Sequence, residues 1–455
     1  MVKVCVVGLG YVGLPLACLC AKRGYDVIGI EKRKLVVDNV NAGRSHIKDE
    51  TIQKSLDSVK GRIRATLKIE DAADCIVFII CVPTPVLESN EPDFEPLVAA
   101  SKAIAGLVKK NDLVVVESTV FPGTCEEYVL PYLEKGSGLK ADSDFHFAHC
   151  PERVNPGDVF WTTENIPRVV GGLTSEATEQ AALFYQSLLK GEIYGVEEVK
   201  KILRPKFIVD GKGYKLNSMP LASITKMNSL RDAEAVKVME NTVRDVNIAF
   251  VNELAKISDA LRLDVLDIIE GMATKPFGKG PFYPGIGVGG HCIAVDPEWL
   301  KSASMKAGYF PRIIQTARDT NNSMPHFAVG MMEKAIREKD IEKPVIAVLG
   351  VTYKGNIDDP RVSPFYEVKK ILQSKGYDFR VYDPWYEKEN TYQSIEDALK
   401  GSNILMVATD HTVFKEKVTA EMLGEFRIKV VVDGRNCLDK KGIENAGILY
   451  LGIGR

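Results

Sequence analysis

The first part of the chain alternates short, unbroken apolar runs with stretches of helical periodicity. A helical stretch at 14–23 follows the first of these runs. The apolar runs lie at 2–7, 27–30, 76–81, 113–117 and 145–148. Unbroken apolar strands that alternate with helices predict a parallel sheet covered on both faces.

The pattern changes in the middle of the chain and then returns. From 231 to about 261 there is no Gly or Pro, which predicts one unusually long helix, called the spine helix below. A second strand–helix alternation begins at Pro344. Its predicted strands lie at 345–349, 379–382, 404–408, 429–432 and 448–451.

These patterns predict an α/β protein, with two Rossmann-like doubly wound parallel-sheet domains joined by a central helical domain that carries the spine helix. The stretch 192–229 fits neither pattern. Alternating residues around Asp210-Gly211 predict a surface excursion with a β-hairpin. The predicted divisions are 1–191, 192–229, 230–328 and 329–455.

Composition narrows the class of protein. The 455 residues are 45% hydrophobic and 26% charged, which excludes a largely disordered chain. The net charge of -2 and the absence of a basic stripe argue against a nucleic-acid partner. No apolar run approaches the ~20 residues that span a bilayer, and no signal peptide is recognised, so we expect no membrane partner and a cytoplasmic location. The nine scattered cysteines form no Cys-x-x-Cys, and we expect no metal site.

A glycine fingerprint follows the first strand. Gly8, Gly10 and Gly13 lead into a helix, and Glu31 ends the next strand. This context predicts a dinucleotide site: the glycines allow a tight turn and a close approach of the pyrophosphate, and the carboxylate accepts from the adenine ribose. Glu31 favours NAD over NADP, although Lys32–Lys34 leave a 2′-phosphate site open as an alternative. A glycine turn without a ligand is the other interpretation.

A second glycine-rich segment, 285–292, ends at His291 and Cys292. Its backbone N–H groups suit a phosphorylated ligand, and the cysteine is unlike the others, which sit in apolar runs. Asp296 lies four residues further on. Cys292 is therefore a candidate nucleophile, with a buried cysteine in a flexible loop as the alternative.

The spine helix and one strand end add further candidates. Lys237, Asn241 and Arg244 share one helix face, where they could grip an oxyanion and a substrate. The alternative is a solvated face. Glu152 follows a strand and is either a general base or a surface carboxylate.

Taken together, these motifs resemble the UDP-glucose/GDP-mannose dehydrogenase family over nearly the whole chain. The resemblance rests on segments 8–14, 118–124, 287–292, 353–355 and 359–364. Segments 240–249 and 289–293 are similar to the UDP-N-acetylhexosamine 6-dehydrogenase subgroup.

The resemblance implies roles for individual residues. Cys292 matches the nucleophile and Asp296 the acid–base carboxylate. Lys237 and Asn241 match the pair that stabilises oxyanions. Thr119 matches the residue that orients water, and Glu152 matches the carboxylate that assists thioester hydrolysis. The expected NAD contacts are Gly8, Gly10, Tyr11, Val12, Gly13, Glu31, Thr84, Thr119 and Arg361. The expected UDP-sugar contacts are Arg153, Arg244, Gly289, His291, Tyr353 and Lys354.

The implied activity is oxidation of the C6 alcohol of a UDP-sugar to a uronic acid, with NAD as cofactor and a cysteine thioester as intermediate. Two departures, Pro156 and Val295, stand where glucose enzymes carry glutamate and lysine. They favour a UDP-N-acetylhexosamine, with UDP-N-acetyl-D-mannosamine as the first choice and its glucosamine, galactosamine and glucose counterparts as alternatives. The spine helix predicts a homodimer or higher homo-oligomer. The rivals are a two-electron dehydrogenase of the hydroxyacid or 6-phosphogluconate type and an NAD-sensing binding protein.

Overall fold

The computed structural model describes residues 2–47, 49–85, 87, 91–141, 143–154, 161–189, 223–275, 281–290 and 292–455. Two compact units divide the chain, Met1–Met239 and Glu240–Arg455. Each contains one sheet, which is typical of a chain that repeats a strand–helix alternation.

The first unit is built on an eight-stranded sheet. In order across the sheet, the strands are β3, β2, β1, β4, β5, β6, β7 and β8. They span Lys3–Val7 (β1), Asp26–Ile30 (β2), Ile63–Thr66 (β3), Val77–Ile80 (β4), Leu113–Val116 (β5), His146–His149 (β6), Arg168–Gly172 (β7) and Ile224–Lys226 (β8). The helices are Gly13–Lys22 (α1), Lys34–Asn41 (α2), Glu50–Ser58 (α3), Glu95–Ala105 (α4), Leu130–Ser137 (α5) and Ser175–Leu189 (α6).

Strands β1 to β6 pair in parallel, as the apolar runs predicted. Strand β7 departs from that pattern and runs antiparallel to β6, while β8 pairs in parallel with β7. The two faces of β1 enter different cores: Val4 and Val6 pack on one side, Cys5 and Val7 on the other. Burial on both faces explains why this strand has no polar alternation.

The second unit has a five-stranded parallel sheet ordered β10, β9, β11, β12, β13. Its strands are Val345–Leu349 (β9), Asp378–Tyr382 (β10), Ile404–Val407 (β11), Val430–Asp433 (β12) and Leu449–Gly452 (β13). Its helices, numbered after the spine helix α7, are Val265–Ala273 (α8), Asp296–Lys306 (α9), Arg312–Glu338 (α10), Pro364–Ser374 (α11), Ile395–Leu399 (α12), Thr412–Lys417 (α13), Ala420–Glu425 (α14) and Lys440–Asn445 (α15). This sheet is also covered on both sides, since alternate residues of β9 enter separate cores.

The spine helix, α7, runs from Leu230 to Leu261, close to the predicted bounds. It begins in the first unit and continues into the second. The predicted division at residue 328 falls inside the unbroken helix α10, and the four-part division stays a prediction. The predicted hairpin around Asp210-Gly211 lies outside the described residues, and only β8 is described at the end of that excursion.

Candidate active site

The glycine fingerprint forms the turn between β1 and α1. Gly8 has φ +92°, and a Cβ there would lie 2.7 Å from the carbonyl oxygen of Cys81. A Cβ on Gly13 would lie 1.9 Å from the carbonyl oxygen of Gly8. Both positions therefore require glycine for the fold itself. Gly10 differs, because a Cβ on it would meet no described atom within 4 Å, so its open surface leaves room for a ligand against the backbone.

The start of α1 suits a phosphate group. Val12 is the N-cap residue of α1, and among the described residues no side-chain hydrogen bond caps the helix there. The first turn of α1 has no acidic residue. The positive end of the helix dipole favours an anion there, although the N–H of Leu14 already donates to the carbonyl oxygen of Gly10 at 3.0 Å. Tyr11, the neighbouring predicted contact, is exposed.

Glu31 is buried at the end of β2, beside the glycine turn. Its Oε2 accepts from the backbone N–H of Leu9 at 3.3 Å. The side chain of Arg33 donates to both carboxylate oxygens, from Nε at 3.1 Å and from Nη2 at 3.2 Å. Burial acts to raise the pKa of Glu31, but hydrogen bonds from Arg33 and its positive charge hold that pKa below its ordinary value. The backbone N–H of Arg33 also donates to Oε1 at 3.1 Å, so all four acceptor positions of this carboxylate are taken. A ribose diol that binds Glu31 must therefore displace the Arg33 side chain.

The loops after β4 and β5 are tied to each other. The Thr84 hydroxyl donates to the carbonyl oxygen of Thr119 at 2.8 Å, and the Ser118 hydroxyl donates to that of Val82 at 2.7 Å. Thr84 is buried and Thr119 is half-buried. Both predicted cofactor contacts therefore sit on fixed backbone at the carboxyl ends of parallel strands, where ligands of such sheets bind.

A buried carboxylate joins the β5 loop to α7. Glu234 is fully buried and accepts from the N–H groups of Gly123 at 2.6 Å and Cys125 at 2.7 Å. Burial raises its pKa, although the two N–H groups oppose that effect. Lys237 follows three residues later on α7, so the loop that carries Thr119 and the helix that carries Lys237 are held together.

Glu152 lies in the segment after β6 and is buried, with 6% of its surface exposed. Its Oε1 accepts from the backbone N–H groups of Arg153 at 2.6 Å and Val154 at 2.7 Å. Arg168 donates to its Oε2 at 3.3 Å. The surface-carboxylate alternative is therefore wrong. The predicted substrate contact Arg153 donates from its guanidinium to the carbonyl oxygen of Pro167 at 3.3 Å.

Lys237 acts electrostatically on the end of β6. Burial, together with the positive charge of Lys237, lowers the pKa of His149 to about 3. His149 is the last residue of β6 and stands three positions before Glu152. The first unit therefore collects Lys237, Glu152 and Thr119 from α7 and from two adjacent strand ends.

The second unit holds the other catalytic candidates. Asn241 donates from Nδ2 to Oδ2 of Asp296 at 2.6 Å. Asp296 is almost fully buried at the start of α9, and its backbone N–H donates to the carbonyl oxygen of Cys292 at 2.9 Å. Cys292 is exposed, whereas seven of the other cysteines are buried and Cys437 is intermediate. The second unit thus joins a solvent-accessible thiol, a carboxylate and an amide.

The glycine-rich segment before Cys292 serves the protein's own packing. The N–H of Gly285 donates to Asn252 at 3.0 Å, and the N–H of Gly290 donates to the carbonyl oxygen of Arg361 at 3.1 Å. A Cβ on Gly289 would lie 2.6 Å from the Cβ of Tyr353. The expectation that these glycines free their N–H groups for a phosphate is therefore wrong for Gly285 and Gly290, because protein oxygens already use those donors.

The remaining predicted contacts are spread over the second unit. Arg361 is exposed and pairs with both carboxylate oxygens of Asp359, and that pairing is the largest cause of its raised pKa, to which the nearby Cys292 also contributes. Lys354 and Arg244 are exposed. His291 lies outside the described residues.

No metal-binding group of three or more His, Cys, Asp or Glu occurs in the described part of the chain. None of its helices is long and apolar enough to cross a membrane.

Sequence reasoning missed three buried residues that surround Glu152 and the β5 end. Glu117, Arg168 and Tyr185 are each at most 2% exposed. Glu117 ends the predicted apolar run 113–117, directly before the segment 118–124, and only Thr119 of that segment was assigned a role. Arg168 and Tyr185 carry no motif signal, since a single charged or phenolic residue in an apolar stretch does not reveal what it contacts.

A glycine turn that suits a dinucleotide in the first unit, with an exposed cysteine and a buried carboxylate in the second, fits an NAD-dependent dehydrogenase. Three domains of the UDP-glucose/GDP-mannose dehydrogenase family match the chain. They are the NAD binding domain at residues 2–189, the central domain at 231–323 and the UDP binding domain at 347–440. The chain therefore belongs to the UDP-glucose/GDP-mannose dehydrogenase family, whose members are NAD-dependent nucleotide-sugar dehydrogenases.

Individual relatives align over almost their entire length. The UDP-N-acetyl-D-mannosamine dehydrogenase of Pyrococcus horikoshii is 36% identical, and the alignment covers 100% of this chain and 99% of that protein. The UDP-N-acetyl-D-glucosamine 6-dehydrogenase of Pseudomonas aeruginosa is 35% identical, covering 93% of this chain and 91% of that protein. A solved structure of the Pyrococcus horikoshii UDP-D-ManNAc dehydrogenase superimposes with a TM-score of 0.86 at 35% identity, with coverage of 100% and 99%.

The pairing of Glu31 with Arg33 yields a prediction about cofactor choice. In Glu31→Gln the amide no longer holds the guanidinium by charge, which frees Arg33 to meet a 2′-phosphate. We expect the ratio of NADPH to NADH affinity, measured by fluorescence titration, to rise by roughly ten- to a hundredfold, as for a charged hydrogen-bond pair of about 1.5–3 kcal/mol.

The double variant Glu31→Gln/Arg33→Ala is the control. It should lose most of that gain, because the cation that would attract the 2′-phosphate is gone. An unchanged ratio in Glu31→Gln, or an equal gain in the double variant, would show that Arg33 takes no part in the discrimination.

Proposed function

We propose that the protein oxidises the C6 primary alcohol of a UDP-N-acetylhexosamine, first of all UDP-N-acetyl-D-mannosamine, to the uronic acid. The observation that carries this proposal is the group formed by Cys292, Asp296 and Asn241 in the second unit. An accessible thiol beside a buried carboxylate serves a covalent step that a simple alcohol dehydrogenase does not need.

The residues divide the chemistry between two oxidations. NAD, when bound, accepts one hydride in each. Asp296 takes the proton of the sugar hydroxyl as the alcohol becomes an aldehyde, and Lys237 and Asn241 stabilise the developing oxyanion. The Cys292 sulfur then adds to the aldehyde carbon and holds it as a thiohemiacetal. Loss of a second hydride leaves a thioester, which keeps the reactive aldehyde from escaping.

Release of the product needs one water. Glu152 takes a proton from that water while the water oxygen bonds to the acyl carbon. The carbon–sulfur bond breaks, and its electron pair returns to Cys292. The net change consumes the alcohol, water and two NAD, and it yields the carboxylate, two NADH and three protons. Thr119 orients water near the nicotinamide in this scheme.

The choice of sugar rests on the donors around the site and on the relatives' names. The predicted sugar contacts Arg153, Arg244 and His291 would supply hydrogen-bond donors for an acetamido oxygen, and arginine's fixed fork suits such planar groups. Pro156 and Val295 replace residues of the glucose enzymes. Relatives of similar identity are named for the mannosamine and for the glucosamine sugar, so the epimer is decided by assay.

A panel of UDP-sugars tests this proposal. We expect kcat/KM for UDP-N-acetyl-D-mannosamine to exceed that for UDP-glucose by about ten- to a hundredfold, because each donor that the bound sugar removes from water and leaves without an acceptor costs about 1–3 kcal/mol. UDP-N-acetylglucosamine and UDP-N-acetylgalactosamine complete the panel, and a preference for either corrects only the epimer. Equal or better efficiency with UDP-glucose would contradict the assignment. NAD binding without turnover of any sugar would instead favour the NAD-sensing alternative.

We further propose a homodimer formed along α7, in the cytoplasmic location expected from the sequence. Val243, Phe250 and Ile257 repeat every seven residues on α7 and are 52%, 55% and 47% exposed, and Leu261 is 63% exposed. An apolar stripe at heptad spacing is typical of a helix that packs against a second helix. A two-fold axis would bring the same stripe of each copy together.

Light scattering should therefore give twice the chain mass of 50.2 kDa at micromolar concentration. Phe250→Glu should yield the monomer mass, because it places a charge in the apolar contact. Leu35→Glu, at a position that is 71% exposed on α2, is the matched control and should stay dimeric. A monomeric wild-type protein, or a Phe250→Glu variant that stays dimeric, would contradict the proposed interface.

A further inference from the structure

A charged cluster lies buried behind Glu152 in the first unit. Arg168, the first residue of β7, donates from Nη1 to Oε1 of Glu117 at 3.2 Å and from Nη2 to Oε2 of Glu152 at 3.3 Å. The side chains of Arg168, Glu117 and Glu152 are 2%, 0% and 7% exposed. One guanidinium thus bridges the carboxylates at the ends of two adjacent strands, β5 and β6.

A fourth residue fixes the far side of this bridge. The Tyr185 hydroxyl, on α6, donates to Oε1 of Glu117 at 2.5 Å, and the Arg168 guanidinium lies over the Tyr185 ring at 5.1 Å. Burial raises the pKa of Glu117 to about 7, because the positive charge of Arg168 only partly offsets desolvation and Glu152 adds repulsion. Glu117 and Tyr185 therefore hold the guanidinium of Arg168 on one side, and the second carboxylate, Glu152, binds it on the other.

A buried charged cluster of this kind is a weak source of stability. Charges removed from water recover only part of their hydration energy from each other, and apolar replacements of buried ion pairs are often as stable or more so. Two carboxylates for one cation make the balance less favourable still. Its position suggests what is gained, since Glu117 stands two residues before Thr119 and Glu152 is itself a site residue.

Among the described residues, the hydrogen bonds of Glu152 leave one of its acceptor positions unused. A carboxylate has about four acceptor positions. Arg153 and Val154 take two on Oε1, and Arg168 takes one on Oε2. As far as the described residues go, the fourth is left on Oε2. The orientation of that position depends on Arg168, whose guanidinium holds the other acceptor position of the same oxygen.

We propose that Arg168 is a positioning residue that directs the free acceptor position of Glu152 at the water that hydrolyses the Cys292 thioester. The inference rests on the proposed function, in which Glu152 accepts the proton of that water. Arg168 therefore acts on the hydrolytic step and leaves both hydride transfers unaffected.

Arg168→Lys tests this role. Lysine keeps the charge, but its single ammonium lacks the planar fork that spans both carboxylates. With the sugar that performs best in the UDP-sugar panel, rapid mixing should show a burst of two NADH per active site at a rate close to wild type. Steady-state turnover should then fall by roughly ten- to a hundredfold, in the range of a mispositioned general base. Intact-mass measurement after acid quenching should find the uronyl group on the enzyme.

Further variants keep the result interpretable. Glu117→Gln is the second test, in case Arg168→Lys fails to fold. It removes one of the two carboxylates that hold the guanidinium, so Arg168 no longer fixes the free acceptor position of Glu152 and the same burst and adduct are expected. Tyr25→Phe removes a comparable buried phenol hydrogen bond, to Ser187 at 2.6 Å, and should behave as wild type. Cys292→Ser should give no adduct.

The outcomes separate the two proposals. Equal loss of burst and steady-state rate in the folded Arg168 and Glu117 variants, with no adduct, would overturn the positioning role. Steady turnover by Cys292→Ser would overturn the covalent mechanism itself, whatever Arg168 does.

Discussion

The catalytic candidates on α7 depend on how firmly this helix is held within each unit, because it carries Lys237 in the first unit and Asn241 in the second. Buried carboxylates on the helix provide the hold. In the first unit, Glu234 accepts from two N–H groups of the loop after β5. In the second, Asp245 accepts from Arg318 at 2.7 Å and from Asn321 at 2.8 Å. Each of these groups would be costly to leave unpaired, so each penalises a shift of the helix.

The same device recurs wherever the fold must place a reactive group. Asn241 holds Asp296, Asn252 holds the backbone of Gly285, and Arg168 holds Glu152. Apolar packing alone fixes a side chain's volume but leaves its polar atoms without a preferred direction. Directed hydrogen bonds in a buried setting supply that direction, which a site needs if it is to favour a transition state over the bound substrate.

Much of the architecture could be predicted from the sequence, because strands buried on both faces and a 32-residue helix without breakers leave strong periodic signals. The glycine turn and Glu31 were also predictable, since their spacing follows from the geometry of a strand, a turn and a helix. Strand β7 was not predicted, because Arg168 and two glycines leave only a short apolar run there. Its reversed direction was not predictable either, because an apolar run has the same pattern in either orientation. Arg168 was missed for a related reason: partners 51 and 16 residues away in the chain determine its role. The glycines before Cys292 were misinterpreted because sequence does not distinguish an N–H exposed to a ligand from one already bonded to protein.

The proposed mechanism requires one site to perform both oxidations of the alcohol through a covalent intermediate. The most direct measurement counts NADH formed per UDP-sugar consumed, with the product identified by mass spectrometry under substrate-limited conditions. The account predicts two NADH for each uronic acid and no free aldehyde. One NADH per sugar, with an aldehyde or ketone as the product, would contradict it and would indicate a two-electron dehydrogenase instead.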